Sequence, residues 1–187
     1  MAENYHPYIL GTNHLSYNVE ATISYVDSLD LKIKKVMLEM FNSNDTTNEF
    51  IFEFVRTDAG LELESIRNNP NVFYSALVDY FNSRQIEMCF AYSEVDPVTE
   101  IKAVVDFNSN NYLDLVASRA KEFSDEMDPL ILKRVLQQSP DLIIIGSAHG
   151  EYLNNQISGS NYVYVDDKEK FPIFQAHLFN YLLTKLQ

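Results

Sequence analysis

Two short motifs with the same pattern, Gly-x-x-His, contain the residues of this sequence that are best suited to do chemistry. They are Gly11-Thr12-Asn13-His14 and Gly146-Ser147-Ala148-His149, and each follows an apolar segment directly. The chain has five glycines and four histidines in 187 residues, so chance placement would give only about 0.1 such motif. Glycine permits a sharp turn at a strand end, and an imidazole three residues later can bind a metal or exchange a proton. The motifs therefore predict a site that contains His14 and His149.

A carboxylate inside an apolar segment adds a third candidate to this site. Glu53 lies within residues 50–55, where the other five residues are aromatic or β-branched. A buried ionised carboxylate is costly unless it is paired or bound to a cation. Two histidines and one carboxylate suit a divalent metal such as Mn, Co or Zn, with open positions for water and substrate. In the alternative interpretation, each histidine only hydrogen-bonds a loop and Glu53 pairs with an arginine.

The apolar pattern predicts strands and helices that alternate along a single domain spanning residues 1–187. Strands are predicted at residues 8–10, 50–55, 86–92, 100–107, 141–145 and 162–165. Helices are predicted at residues 18–41, 72–84, 112–138 and 174–186, with a break at Pro129 left open. This alternation favours an α/β fold with a mainly parallel central sheet and helices on both faces. Ligands of such sheets bind beyond the carboxyl ends of the strands, so the active-site cleft is expected there.

Composition and charge restrict the classes of function. The single cysteine, Cys89, excludes an intramolecular disulfide and a cysteine-based zinc site. A net charge of −13 makes nucleic acid and anionic membranes poor partners, and it leaves open a basic protein partner. The sequence shows no secretory signal and no apolar run of membrane-spanning length, so we expect a cytoplasmic location.

The combination of motifs resembles the TraB/GumN/Tiki superfamily, whose relatives are erythromycin-esterase-like and ChaN-like haem-binding proteins. The points of resemblance are Gly-Thr-x-His at the first strand, Glu53 on an early strand, Gly-x-x-His at a late strand, and Arg119 in the helix before it. The resemblance implies that His14, Glu53 and His149 bind a metal, with Glu53 as a ligand or general base. It also implies that Arg119 orients Glu53 or stabilises a developing oxyanion.

The expected function is therefore hydrolysis of a peptide or an ester, with Glu53, His149 and Arg119 as catalytic residues. Tiki-like members imply a metal-dependent protease, whereas erythromycin-esterase-like members imply hydrolysis without an obligate metal. Two alternatives come from other classes of protein. One is a cleft that binds haem or another ligand without turnover, and the other is an acidic module that inhibits a basic protein.

Overall fold

The computed structural model describes residues 5–13, 18–29, 31–41, 48–57, 60–70, 72–92, 103–105 and 112–166. Side chains are described for residues 5–13, 18–29, 31–40, 73–92 and 124–166. The elements in chain order are β1 (Tyr8–Thr12), α1 (Val19–Ser28), β2 (Lys35–Phe41), β3 (Asn48–Thr57), β4 (Gly60–Pro70), α2 (Val72–Ser83), β5 (Glu87–Tyr92), β6 (Ala103–Val105), α3 (Tyr112–Gln138), β7 (Leu142–Gly146), α4 (Ser147–Gln156) and β8 (Asn161–Tyr164).

Five strands form a parallel sheet in the order β5-β2-β7-β1-β8. The central strand β7 pairs with β1 on one side and β2 on the other, so that Ile143 lies between Ile9 and Met37. A strand in this position is covered on both faces, and all four residues from Leu142 to Ile145 are fully buried. The predicted α/β fold with a mainly parallel sheet is confirmed.

Two apolar layers lie on opposite faces of this sheet, and each layer has its own pair of helices. Helices α3 and α4 cover one face, where Ile143 and Ile145 belong to the same buried cluster as Met127, Ile131 and Leu153. Helices α1 and α2 cover the other face, where Leu142 and Ile144 pack with side chains that include Val26, Phe73, Leu77 and Phe81. The alternation along β7 follows from the strand period of two, which turns successive side chains to opposite faces.

After β2 the chain forms strands of a second, separate sheet. Strands β3, β4 and β6 form a three-stranded antiparallel sheet in the order β3-β4-β6. The sequence predicted β3 and β6 as members of the parallel sheet, and it did not predict β4. Because β3 ends at Thr57 and β4 begins at Gly60, their connection is too short for a parallel crossover and gives an antiparallel pair instead.

The predicted helices differ from the observed ones at residues 18–41 and 147–156. The helix predicted at residues 18–41 is α1 followed by β2, because Val36, Met37 and Met40 are fully buried in a strand whose two faces are both apolar. The helix predicted at residues 112–138 is confirmed as α3, which continues through Pro129. Residues 147–156, where no helix was predicted, form α4. The helix predicted at residues 174–186 lies outside the described residues.

None of the helices in the described part of the chain combines the length and the apolar composition that crossing a membrane needs.

Candidate functional site

His149 lies in the first turn of α4, at the carboxyl edge of the central strand. Gly146 is both the last residue of β7 and the N-cap of α4, so the helix begins directly where the strand ends. The backbone of Gly146 has φ −53°, a value that any residue can adopt, so the predicted need for glycine at this turn is wrong. Only 6% of His149 is exposed. The junction thus turns the histidine into the layer between the sheet and α3.

Glu39 lies beside His149, although it was not among the residues predicted for the site. It is 6% exposed and belongs to β2, in a stretch where the pairing with β5 shifts by one residue between Leu38 and Phe41. A register shift of this kind changes the direction of the side chains beside it, and β-bulges, which produce such shifts, are frequent next to functional sites. The carboxylate accepts the Gly146 N–H at Oε2 and the Tyr92 hydroxyl at Oε1.

The imidazole of His149 lies between two carboxylates. Its Nδ1 is 2.5 Å from Asp128 Oδ1 on α3, and its Nε2 is 3.5 Å from Glu39 Oε1 on β2. Asp128 is 8% exposed, so all three ionisable side chains of this Glu39–His149–Asp128 cluster are buried. A carboxylate at Nδ1 fixes the ring orientation and directs Nε2 to the other side of the ring.

The distance between Glu39 and His149 bears on the predicted metal. Two ligands at tetrahedral angles around a metal, each about 2.1 Å from it, lie about 3.4 Å apart. The 3.5 Å between Glu39 Oε1 and His149 Nε2 fits such a pair of ligands. Among the residues that the structure describes, no group of three or more His, Cys, Asp or Glu side chains could hold a metal ion. A complete site would therefore need a further donor from outside these residues.

The other predicted site residues have different placements. His14 lies outside the described residues, although β1 ends at Thr12, which pairs with Gly146. Glu53 is part of the antiparallel sheet, opposite Glu64 of β4, and not of the parallel sheet that positions His149. Arg119 is in α3, nine residues before Asp128, which corresponds to about 14 Å along a helix axis. The side chains of Arg119 and Glu53 are not among those that the structure describes.

The glycine of the first motif, Gly11, allows a neighbouring ring to pack closely against the backbone. Strand β1 continues through Gly11 to Thr12, so there is no turn at this glycine. A Cβ on Gly11 would lie 2.8 Å from Cε2 and 2.9 Å from Cζ of Tyr162, and a Cβ on Gly150 would lie 2.7 Å from the same Cε2. Both glycines therefore leave room for the Tyr162 ring, whose hydroxyl donates to the Ser147 carbonyl at 3.4 Å.

Gly11→Ala is expected to lower the free energy of unfolding by about 1–3 kcal/mol, because the added methyl group overpacks the Tyr162 ring. Urea denaturation followed by circular dichroism measures this change. In a Tyr162→Ala background the same substitution should have a much smaller effect, since the two sites are in contact. An equal loss in both backgrounds would contradict this explanation of the glycine.

No family model, curated protein or solved structure matches this chain. The class of protein is therefore defined by its own fold and site. It is an α/β protein with a five-stranded parallel sheet between two helical layers, and a carboxylate–histidine–carboxylate cluster is buried at the carboxyl edge. The resemblance to the TraB/GumN/Tiki superfamily stays a prediction from the sequence.

Proposed function

We propose that this chain is a hydrolase of the TraB/Tiki type that cleaves a peptide or an ester and depends on a divalent metal. The observation that carries this proposal is the position of His149 between two buried carboxylates, at the edge of the sheet where α/β proteins bind ligands. Glu39 takes the role that the resemblance gave to Glu53, because Glu39 contacts His149. The substrate is a small molecule or a peptide, and the proposed location is the cytoplasm.

The residues that would hold the metal are Glu39 through Oε1 and His149 through Nε2, with His14 as the third ligand. Asp128 supports this assignment, because histidines that bind metals commonly donate their other ring N–H to a carboxylate. A metal bound there would lower the pKa of a water molecule and polarise a carbonyl group.

The chain's own groups supply the remaining chemistry. Asp128 accepts a hydrogen bond from the Nδ1–H of His149 and so holds the ring in one orientation. The Gly146 N–H and the Tyr92 hydroxyl hold the carboxylate of Glu39. His149 and Glu39 are then fixed in positions where either can take or return a proton, which is the requirement for general acid–base catalysis. The same cluster would serve hydrolysis without an obligate metal, as in erythromycin-esterase-like proteins.

The first test is calorimetric titration of Mn, Co and Zn into the wild type and the His14→Ala/His149→Ala double variant. We expect micromolar binding in the wild type and binding at least about 100-fold weaker in the double variant, because two proposed ligands are removed. His6→Ala is the matched control, since His6 is exposed and its Nδ1 lies 3.2 Å from the carbonyl oxygen of Ser158.

Turnover is measured next, with nitrophenyl esters and fluorogenic peptides on the metal-loaded chain. Hydrolysis by the wild type and the His6→Ala variant, lost in the double variant, supports the proposal. A wild type that binds no metal and cleaves neither substrate class contradicts it. Metal binding without turnover would favour a ligand-binding protein instead, and a haem titration followed by its absorption spectrum checks that class.

A further inference from the structure

Two threonine hydroxyl groups are buried in the layer that α1 and α2 form on the parallel sheet. Thr12 is 1% exposed and Thr22 is fully buried. Among the residues that the structure describes, neither Oγ1 has a hydrogen-bond partner. Buried hydroxyl groups are nearly always hydrogen-bonded, because an unsatisfied one is costly. Two unsatisfied hydroxyl groups in one layer therefore require an explanation.

Both hydroxyl groups lie between β1 and α1, toward the carboxyl edge of the sheet. Thr12 follows Leu10 by two residues on β1, so the two side chains are on the same face. Leu10 belongs to the same buried cluster as Val26 of α1. Thr22 precedes Val26 by one helical turn, and these two are the buried residues of α1. Because α1 connects two parallel strands, it runs back across the sheet, and Thr22 is on the side of Val26 that is nearer the carboxyl edge.

The carboxyl ends of β1 and β7 form a topological switch point of the sheet. These strands are neighbours, and Thr12 pairs with Gly146 at their ends. The helix that follows β1, α1, covers one face, whereas the helix that follows β7, α4, covers the other. In open α/β sheets, ligands bind in the crevice that such a point creates. Thr12 is therefore at the position where the topology favours a ligand.

The first turn of α1 supplies donors at the same edge. The first N–H groups of a helix have no partner within the helix, and they carry a partial positive charge. An asparagine at the N-cap commonly accepts a hydrogen bond from one of them, but the side chain of Asn18 makes no such hydrogen bond. Its amide donates instead to the side-chain oxygens of Asn13 and Asp166. The one acidic residue of the first turn, Glu20, has an exposed side chain.

We propose that the carboxyl edge between β1 and α1 binds an oxyanion group, the carboxylate or phosphate of a small molecule. Its donors are the hydroxyl groups of Thr12 and Thr22 and the first N–H groups of α1. Proteins commonly bind such groups at the N-terminus of a helix. Because both threonines are buried, the bound group is small and enclosed. The site is on the face opposite to His149 and does not depend on the proposed function.

Thr12→Val and Thr22→Val each remove one hydroxyl group and keep the branched shape of the side chain. The full chain is titrated with sodium phosphate and, separately, with sodium acetate at constant ionic strength, and NMR measures the amide chemical shifts of residues 19–21. We expect saturable shifts in the wild type. Each valine variant should bind at least about tenfold more weakly, as expected for the loss of a hydrogen bond to a charged group. The probe that binds more tightly distinguishes phosphate from carboxylate.

Ser28→Ala is the matched control, because it removes a hydroxyl group at the other end of α1, where Ser28 donates to the Tyr25 carbonyl. We expect its affinity to stay within about twofold of the wild type. Thr12→Ser keeps the hydroxyl group and should keep binding. Thermal unfolding without phosphate or acetate separates ligand binding from a structural role. The Tm of each valine variant should equal or exceed that of the wild type, because valine removes an unsatisfied polar group.

Three results would overturn the oxyanion site. The first is a wild type whose shifts saturate with neither probe, and the second is wild-type affinity in both valine variants. The third is a lower Tm in both valine variants, since the hydroxyl groups would then be bonded within the fold. If Thr12→Val does not fold, Thr22→Val decides alone. None of these measurements involves hydrolysis, so the proposed function stands or fails separately.

Discussion

Glu39→Gln is expected to lower kcat/KM for hydrolysis by about 10²–10⁴-fold, the range found for groups in acid–base catalysis. Glu39 accepts hydrogen bonds on both oxygens, from Gly146 and from Tyr92. Glutamine keeps only one acceptor oxygen, so its amide nitrogen would face one of these two donors. The substitution also removes the negative charge next to His149 Nε2. Both changes act on the group that the proposal places at the reacting centre.

Glu53→Gln is the matched control for this prediction. It makes the same change at the glutamate that the sequence motifs favoured, on a strand of the antiparallel sheet. We expect kcat/KM of this variant to stay within about twofold of the wild type. The measurement uses the best substrate of the hydrolysis screen, with metal in excess and the fold checked by circular dichroism. Full activity in Glu39→Gln with loss in Glu53→Gln would show that the assignment from the sequence was right and that ours is wrong.

The second large effect concerns stability. Asp128→Ala is expected to lower the free energy of unfolding by about 3 kcal/mol, because breaking a buried ionic hydrogen bond is strongly destabilising. Asp128 is 8% exposed and its Oδ1 lies 2.5 Å from His149 Nδ1, so its loss removes a short contact between α3 and α4 from a site with little access to water. The ring of His149 would also lose the group that fixes its orientation, so activity should fall as well.

Asp125→Ala, three residues earlier on the same helix, is the control. Its side chain is exposed, and exposed substitutions usually change stability by less than about 0.5 kcal/mol. Urea denaturation of both variants at one pH gives the comparison. Equal stability losses in the two variants would mean that the contact between Asp128 and His149 contributes little to the fold.

The parallel core could be predicted from the sequence because its strands carry a strong local signal. Residues 142–145 are Leu-Ile-Ile-Ile, and a run of this kind is typical of a strand covered on both faces. The same property made β2 difficult to predict. Val36, Met37 and Met40 are all buried, and a strand with two apolar faces also satisfies the spacing of a helix.

The site could be predicted only in part. His149 was found because it follows the strand and Gly146 within three residues in the chain. Glu39 carried the same signal as Glu53, a carboxylate among apolar residues, but the helix predicted across it hid that signal. Asp128 and Tyr92 have no local signal, since an aspartate in a helix and a tyrosine at a strand end are ordinary.

The sequence by itself determined the α/β class, the central strand β7 and the presence of His149 at its carboxyl end. These features depend on residues that are close together in the sequence, so the apolar run and the histidine after it can be recognised locally. Only the tertiary structure decided that Glu39 and Asp128 are the partners of His149. Residues 39, 128 and 149 come from three elements, β2, α3 and α4, which meet because β2 pairs with β7 and α3 packs on that face. Strand order and helix packing are long-range properties of the folded chain, so no local pattern contains them.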